Sequence, residues 1–356
     1  MKVINVGIVG CGQIAQEAHI PNYVTNPKAK LTALCDVEEQ AVRALCEKNN
    51  VKNCFTNYEE LFDSNLVEAV SVCVPTRYHS KVVTAAAKRG IHVLCEKPIA
   101  LNIKEAEEIL DAVAKNNVKF TVGYNRRFLP NLILAKEYLQ NGKIGKPVLA
   151  RASTVTMGPY QPQIDISKYK EEAQKRVGCL FDSGVHLADL MIWLLGKPSE
   201  VNAIMSTYFE GVTVDDSAIM QVKFENGALG SIHVSWIDLP NFKATENTRR
   251  VEIIGTHGLI EADCLGPSLS IYNRNSLTSK IKGKTWITPA NFDPMLPQEA
   301  LAWSFSKEID SFLDSIIKNR TPPVTGEQAK ESLRLILAAY ESHKRKQTVL
   351  MVERNE

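Results

Sequence analysis

Three stretches of this 356-residue chain gather side chains able to do chemistry. In HVLCEKPIAL, residues 92–101, apolar residues run straight into a charged pair and a proline, so a buried strand ends by delivering Glu96 and Lys97 to the interior. A lysine is almost never fully buried without a partner or a task. In FDSGVHLADLMIWLLG, residues 181–196, Asp182 and His186 stand four apart and Asp189 three further on. On a helix opened by Asp182, that spacing points all three along one face. His186 suits a general base, because an imidazole with a pKa of about 6.5 accepts a proton near neutral pH. The Asp182 carboxylate could equally cap the helix.

The third stretch, VGIVGCGQIAQEAHI, holds Gly10, Cys11, Gly12, Gln13, Ile14 and Ala15 as a G-x-G-x-x-A that follows a strand and opens a helix. In a dinucleotide fold the first glycine makes the tight turn, the second lets the backbone approach the pyrophosphate, and the last position needs a small residue for packing. The helix N-terminus supplies amide donors and a positive dipole end to the phosphates. Asp36, closing the second strand in TALCDV, can accept from both ribose hydroxyls of the adenosine. The next residue, Val37, offers no cation to a 2′-phosphate and Asp36 would repel one, so NAD is favoured over NADP; Arg43, about two turns on, is the nearest candidate against this.

The elements that must position these residues follow from hydrophobic period. Up to residue 124, runs such as VINVGIV, KLTALCD, EAVSVCV, HVLCE and KFTVGY alternate with helix-like stretches such as EEQAVRALCEKNN and NIKEAEEILDAVAKNN. Near-continuous apolar strands joined by helical crossovers mean a parallel sheet covered on both faces, a doubly wound α/β domain. After one more helix, LPNLILAKEYLQNG, the apolar runs between about 147 and 288 read as extended strands. Asn226-Gly227 predicts a hairpin turn with positive φ at both residues, and a second hairpin is expected around Gly255–Gly258, in RRVEIIGTHGLIEAD. NRNSLTSKIKGK reads as loop, and two long helical patterns, from residues 297 and 326, close the chain. The expected division is a nucleotide-binding domain over 1–124 and a substrate-binding and oligomerisation α+β domain over 125–356.

Composition bounds the function. Forty-two basic residues against 40 acidic leave a net charge of +2, no footprint for nucleic acid or an anionic membrane. No apolar stretch has the length of a membrane span or a signal peptide, so a cytoplasmic location is expected. The eight cysteines, at 11, 35, 46, 54, 73, 95, 179 and 264, show no metal-ligand spacing and read as reduced core residues, with no metal site expected.

Taken together, GCGQIA, CVPTRYH, HVLCEKPIAL, VGYNRRF, FDSGVHLADLMIWLLG and AAYES resemble the Gfo/Idh/MocA oxidoreductase family over essentially the whole chain. The resemblance implies a Rossmann domain followed by an α+β domain with a large, mainly antiparallel open sheet, and hydride transfer between NAD(H) and a CH-OH or C=O group of a polyol, inositol or sugar-like substrate. It implies that Lys97 lies at the C-terminal end of a parallel strand and polarises the substrate oxygen, with Glu96 positioning it or reaching the nicotinamide side. A cis bond before Pro98 would aim the lysine. It implies that Asp182 and His186 bind the reacting hydroxyl, His186 as acid/base. Pro75, Thr76 and His79 fall to the cofactor, and Asn125, with Arg126 and Arg127 as alternatives, to the nicotinamide or substrate. Asp189, Tyr160 and Arg176 are candidates for shaping the pocket, while His19, His92, His233, His257 and His343 are given no catalytic part. The competing functions are an NAD-dependent glycosidase, which would oxidise the sugar transiently, and a non-catalytic nucleotide-binding regulator. The family also implies a homodimer or homotetramer assembled through the C-terminal sheet.

Overall fold

A computed structural model of the chain describes residues 2–156, 178–209, 212–237, 249–266, 268–273 and 297–351. Tyr160 and Arg176, and the 273–284 loop from 274 onward, lie outside the described residues. The chain forms two compact units, Met1–Phe128 with Ala302–Leu333, and Leu129–Leu301 with Arg334–Glu356. Where the sequence pattern ended the first domain at 124, the compact unit also takes in a helical stretch from near the C-terminus.

The first unit runs β1 (Ile4–Val9), α1 (Ile20–Thr25), β2 (Ala29–Cys35), α2 (Glu39–Lys48), β3 (Asn53–Phe55), α3 (Tyr58–Asp63), β4 (Ala69–Val72), α4 (His79–Lys88), β5 (His92–Cys95), α5 (Ile103–Lys115) and β6 (Phe120–Val122). The strands pair in parallel in the order β3-β2-β1-β4-β5-β6. All of β4, and all of β1 but Asn5, is buried, as a sheet covered on both faces requires. The order reverses between β1 and β4, and the C-terminal ends of strands at such a switch point form the usual ligand crevice. Gly10, Asp36, Cys73, Glu96 and Gly123 follow β1, β2, β4, β5 and β6, so all five lie on that edge. Asn102 caps α5 by accepting the Glu105 N–H at 2.9 Å, and Glu105 reaches back to the Leu101 N–H at 3.1 Å, which anchors the turn carrying Lys97.

In the second unit, α6 (Pro130–Gln140) and β7 (Pro147–Val155) precede α7 (Val185–Leu195), which leads to β8 (Pro198–Ser206), β9 (Ser217–Phe224), β10 (Leu229–Ser235), β11 (Arg250–Gly255), β12 (Gly258–Asp263) and β13 (Leu269–Asn273). Two helices, α8 (Pro297–Ile317) and α9 (Gly326–Arg345), and the short β14 (Val349–Leu350) complete the chain. The eight strands order as β13-β12-β11-β7-β10-β9-β8-β14, antiparallel at every pair except β7–β10. Burial alternates along β9, one face in and one face out. On the inner face Gly230 leaves room for α7: a Cβ there would lie 2.8 Å from Met191.

The two expected hairpins are present, between β9 and β10 and between β11 and β12. The first turn differs from expectation. Only Gly227 has positive φ, +86°, and Phe224 accepts the Gly227 N–H while its own N–H reaches the Ala228 carbonyl. Three residues rather than two, Glu225 to Gly227, lie between the bonded Phe224 and Ala228, so an ordinary first turn is followed by a single left-handed glycine.

Within the first unit α8 supplies Ile309, Phe312 and Leu313 to the core against Ile4, Val6, Ile8, Tyr23 and Leu34. Its Asp310 and Asp314 hold Lys28 at 2.8 and 2.7 Å.

Candidate active site

The glycine turn comes first. Gly10 has φ +90°, and a Cβ there would lie 2.6 Å from the Cys73 carbonyl carbon, so the turn packs on the loop after β4 only because position 10 has no side chain. At Gly12 a Cβ would meet nothing within 4 Å: the space a side chain would take is left open beside the turn. The helix that follows, from residue 13 through α1, is π-wound over Ala15–His19; such wider turns often mark functional sites. Asp36 binds this turn directly. Its Oδ2 accepts the Cys11 N–H at 2.6 Å and its Oδ1 the Glu38 N–H at 3.1 Å, leaving further lone pairs for a ribose. Val37 is 82% exposed beside it, and Arg43 is engaged by Glu39 along α2 at 2.7 Å, so neither offers a cation dedicated to a 2′-phosphate. Gln13 and Ile14 open the helix, Gln13 bonding to Glu17 at 2.9 Å. A backbone cradle, an open approach at Gly12 and an acid fixed to the turn are the features a dinucleotide needs.

Burial, with the neighbouring Asp36 carboxylate, pushes the Cys11 thiol up to about 12. All eight cysteines are free.

The loop after β4 carries Pro75, exposed, and Thr76, half-buried, in a tight turn ahead of α4. His79 is buried, its Nδ1 2.8 Å from the Pro98 carbonyl and its Nε2 2.9 Å from the Val74 carbonyl. Burial lowers its pKa against the pull of those carbonyls. Its ring thus stands between the carbonyl before the Pro75 loop and that of the Glu96–Pro98 turn. The Lys97–Pro98 bond is cis.

Lys97 is half-buried and Glu96 only 8% exposed. The Glu96 carboxylate accepts the Lys97 N–H at 3.1 Å through Oε2 and the His19 ring at 3.0 Å through Oε1. Gly123 passes beneath it, where a Cβ would lie 3.2 Å from Oε1. Burial alone would raise the Glu96 pKa; the hydrogen bond and charge of His19, then the charge and backbone N–H of Lys97, outweigh it and hold the carboxyl below 4.5. His19, given no chemical part by the sequence, is thus attached to the E-K-P turn. Asn125 is buried and donates to Ser304 at 2.9 Å; Arg126 is buried, and Arg127, also buried, donates to Gln328 at 2.8 Å.

In the second unit Asp182 does not open its helix. The helix begins at Cys179, is π-wound over Leu180–Gly184, and continues as α7, so Asp182 lies inside the first turn and His186 four residues on. The cap is Asp215, whose Oδ2 accepts the Leu180 N–H at 2.9 Å and whose carbonyl accepts the Cys179 N–H at 2.8 Å. Tyr340 donates to the same carboxylate at 2.6 Å, and burial followed by that negative charge drives its phenol far up. With capping taken over by Asp215, the Asp182 carboxylate is left to a ligand or to its neighbours; Ser183 reaches its Oδ2 at 3.4 Å and is in turn met by Trp236 Nε1 at 3.3 Å. Asp182 and His186 are half-buried, and Asp189 is buried.

Among the described residues no group of His, Cys, Asp and Glu is placed to hold a metal, and no helix is long and apolar enough to cross a membrane.

Comparison with known proteins identifies the family. Residues 4–124 match the model of an oxidoreductase family with an NAD-binding Rossmann fold, and residues 136–351 the C-terminal alpha/beta domain of the same family. Myo-inositol 2-dehydrogenase of Thermotoga maritima is 29% identical, over 98% of this chain and 99% of that protein. Levoglucosan dehydrogenase of Pseudarthrobacter phenanthrenivorans is 27% identical over 73% of each. The crystal structure of an oxidoreductase domain protein from Kribbella flavida shares the fold, with a TM-score of 0.85 at 24% identity over 99% of this chain and 100% of that one. The chain belongs to the Gfo/Idh/MocA oxidoreductase family, an NAD-binding Rossmann domain joined to a C-terminal α/β domain.

Proposed function

We propose that this chain is an NAD-dependent dehydrogenase that interconverts CH-OH and C=O in a polyol, inositol or sugar-like substrate. The observation that carries the reading is the place of Lys97: two residues beyond the end of β5, on the same strand-end edge as the Gly10–Gly12 turn and Asp36, with its backbone held by Glu96. Relatives named as inositol and levoglucosan dehydrogenases support the substrate class. Bound NAD supplies the hydride acceptor. The Lys97 ammonium stabilises the alkoxide character that develops on the substrate oxygen as its proton is taken on oxidation, or as hydride arrives at the carbonyl on reduction; a fixed cation in a dry site is worth far more than one in water. His186 takes the hydroxyl proton on oxidation and returns it on reduction, while Asp182 accepts from a substrate hydroxyl. Gly10, Cys11, Gly12, Gln13 and Ile14 cradle the pyrophosphate, Asp36 with Val37 receives the ribose, and Pro75 and Thr76 border the nicotinamide side.

Residues 125–356 then bind substrate and assemble the protein. The outer face of the eight-stranded sheet exposes Ile204, Ile219 and Leu229 at 68%, 50% and 53%. A second copy covering that face gives a homodimer or homotetramer. Unpaired cysteines fit the reducing cytoplasm.

The test is NADH formation across a panel of inositols, alditols and aldoses. Oxidation of at least one is expected; glycoside cleavage with no net NADH would mark the glycosidase instead, and NAD-linked turnover of nothing in the panel would remove the proposal.

A further inference from the structure

Beneath the E-K-P turn lies a buried polar chain that the proposed reaction does not use. Tyr23 Oη is 2.7 Å from Ser71 Oγ, Ser71 Oγ is 3.0 Å from His19 Nδ1, and His19 Nε2 is 3.0 Å from Glu96 Oε1. Its last link is the other Glu96 oxygen on the Lys97 N–H. Tyr23, Ser71 and His19 are completely buried, so every proton in the chain must be placed within it.

The direction follows from donors and acceptors. An ionised carboxylate only accepts, so His19 Nε2 carries hydrogen. Nδ1 either accepts from Ser71, with Tyr23 donating to Ser71 in turn, or donates to Ser71 when the ring carries charge; in both states Nε2 donates to Glu96. The titratable groups around Glu96 are His19 from the end of the π-turn, Lys97, His79 of α4, Cys73 after β4 and Cys95 of β5, while Glu308 of α8 faces Tyr23 and Cys73. Burial raises both thiols, so neither competes as a buried anion.

We propose that His19 is a positioning residue for the reaction: with Ser71 and Tyr23 behind it, it fixes the orientation and negative charge of Glu96, which in turn sets the Lys97 backbone and places a fixed anion beside the Lys97 ammonium. The inference rests on the role given to Lys97 above. A free Glu96 side chain would turn or take up a proton, and the lysine would lose both its anchor and its counter-charge. Small displacements of a reacting group cost on the order of ten- to a hundredfold in rate.

Two variants of the full-length protein separate positioning from packing. His19→Gln places an amide N–H where Nε2 stood and keeps the bond to Glu96; His19→Asn places its amide near Nδ1 and loses that bond. Both replace the ring by a polar amide, so a packing role predicts similar damage from each. Positioning predicts that His19→Asn lowers kcat about ten- to a hundredfold, with a larger primary deuterium isotope effect and unchanged NAD affinity, while His19→Gln stays within a few-fold of the unaltered enzyme. The second readout needs no substrate or cofactor: the Glu96 carboxyl, followed by 13C NMR with Glu96→Gln as the assignment control, should titrate at higher pH in His19→Asn than in the unaltered protein. Equal kcat for the two variants, or a Glu96 titration unmoved in His19→Asn, would overturn the inference. If the unaltered protein turns over no substrate, the proposed function fails, and the carboxyl titration alone decides the part of His19.

Discussion

Asp36 and Glu96 show two uses of a carboxylate. Asp36 is bonded to the glycine turn by one oxygen and to the start of α2 by the other, so it presents a fixed negative charge for the adenosine ribose proposed to bind there. Asp36→Ala should weaken NAD binding by roughly ten- to a hundredfold, the worth of a hydrogen bond to a charged group, and narrow the preference over NADP; fluorescence titration with both cofactors checks this. Glu96 is buried, and its carboxyl lies below the ordinary 4.5 through His19 and Lys97. A depressed folded value means that the ionised form is favoured by folding. That stability is present above the unfolded pKa and is lost as pH falls through the folded one. Melting curves of Glu96→Gln should therefore fall less steeply than those of the native protein below about pH 4.5. The strand ends that carry Asp36 and Lys97 were legible because each follows a short apolar run. The pairing of His19 with Glu96 spans 77 residues of sequence and follows no local period, so no pattern in the sequence announces it.

At the scale of elements, the two glycines of the turn do different work. Gly10→Ala forces a side chain into a left-handed φ and against the Cys73 carbonyl, so it should cost at least about 1–2 kcal/mol of stability. Gly12→Ala points into open space in the ligand-free protein and should leave the melting temperature nearly unchanged while lowering NAD affinity about tenfold or more. Calorimetry beside titration separates the two. The parallel sheet was legible from unbroken apolar runs, as were the helices from their three-and-four spacing. The start of the Asp182 helix was not, because its cap comes from Asp215, which no pattern near residue 180 contains. Asp215→Ala should destabilise the protein by about 1–3 kcal/mol, since it uncaps the helix and leaves Tyr340 without its acceptor. The first hairpin was placed correctly and its turn was not: Asn-Gly suits a two-residue turn, but Glu225 joined the loop and left the single left-handed position to Gly227.

On the scale of the whole molecule, the sheet of the second unit presents Ile204, Ile219 and Leu229 outward, next to the charged pairs Lys223–Glu200 and Arg151–Glu252. The assembly proposed above packs a second copy on that face about a two-fold axis. Ile219→Glu should shift the assembly toward monomer in sedimentation velocity at micromolar protein, and a native protein that is already monomeric there would contradict assembly through this face. Lys97 is proposed to serve the chemistry and not the binding of cofactor. This role is tested most directly by comparing native and Lys97→Met protein for NAD affinity and for single-turnover hydride transfer with a substrate from the inositol and sugar panel. Unchanged NAD affinity and a rate lower by about a hundredfold or more are expected; a Lys97→Met protein that transfers hydride at the native rate would overturn that role.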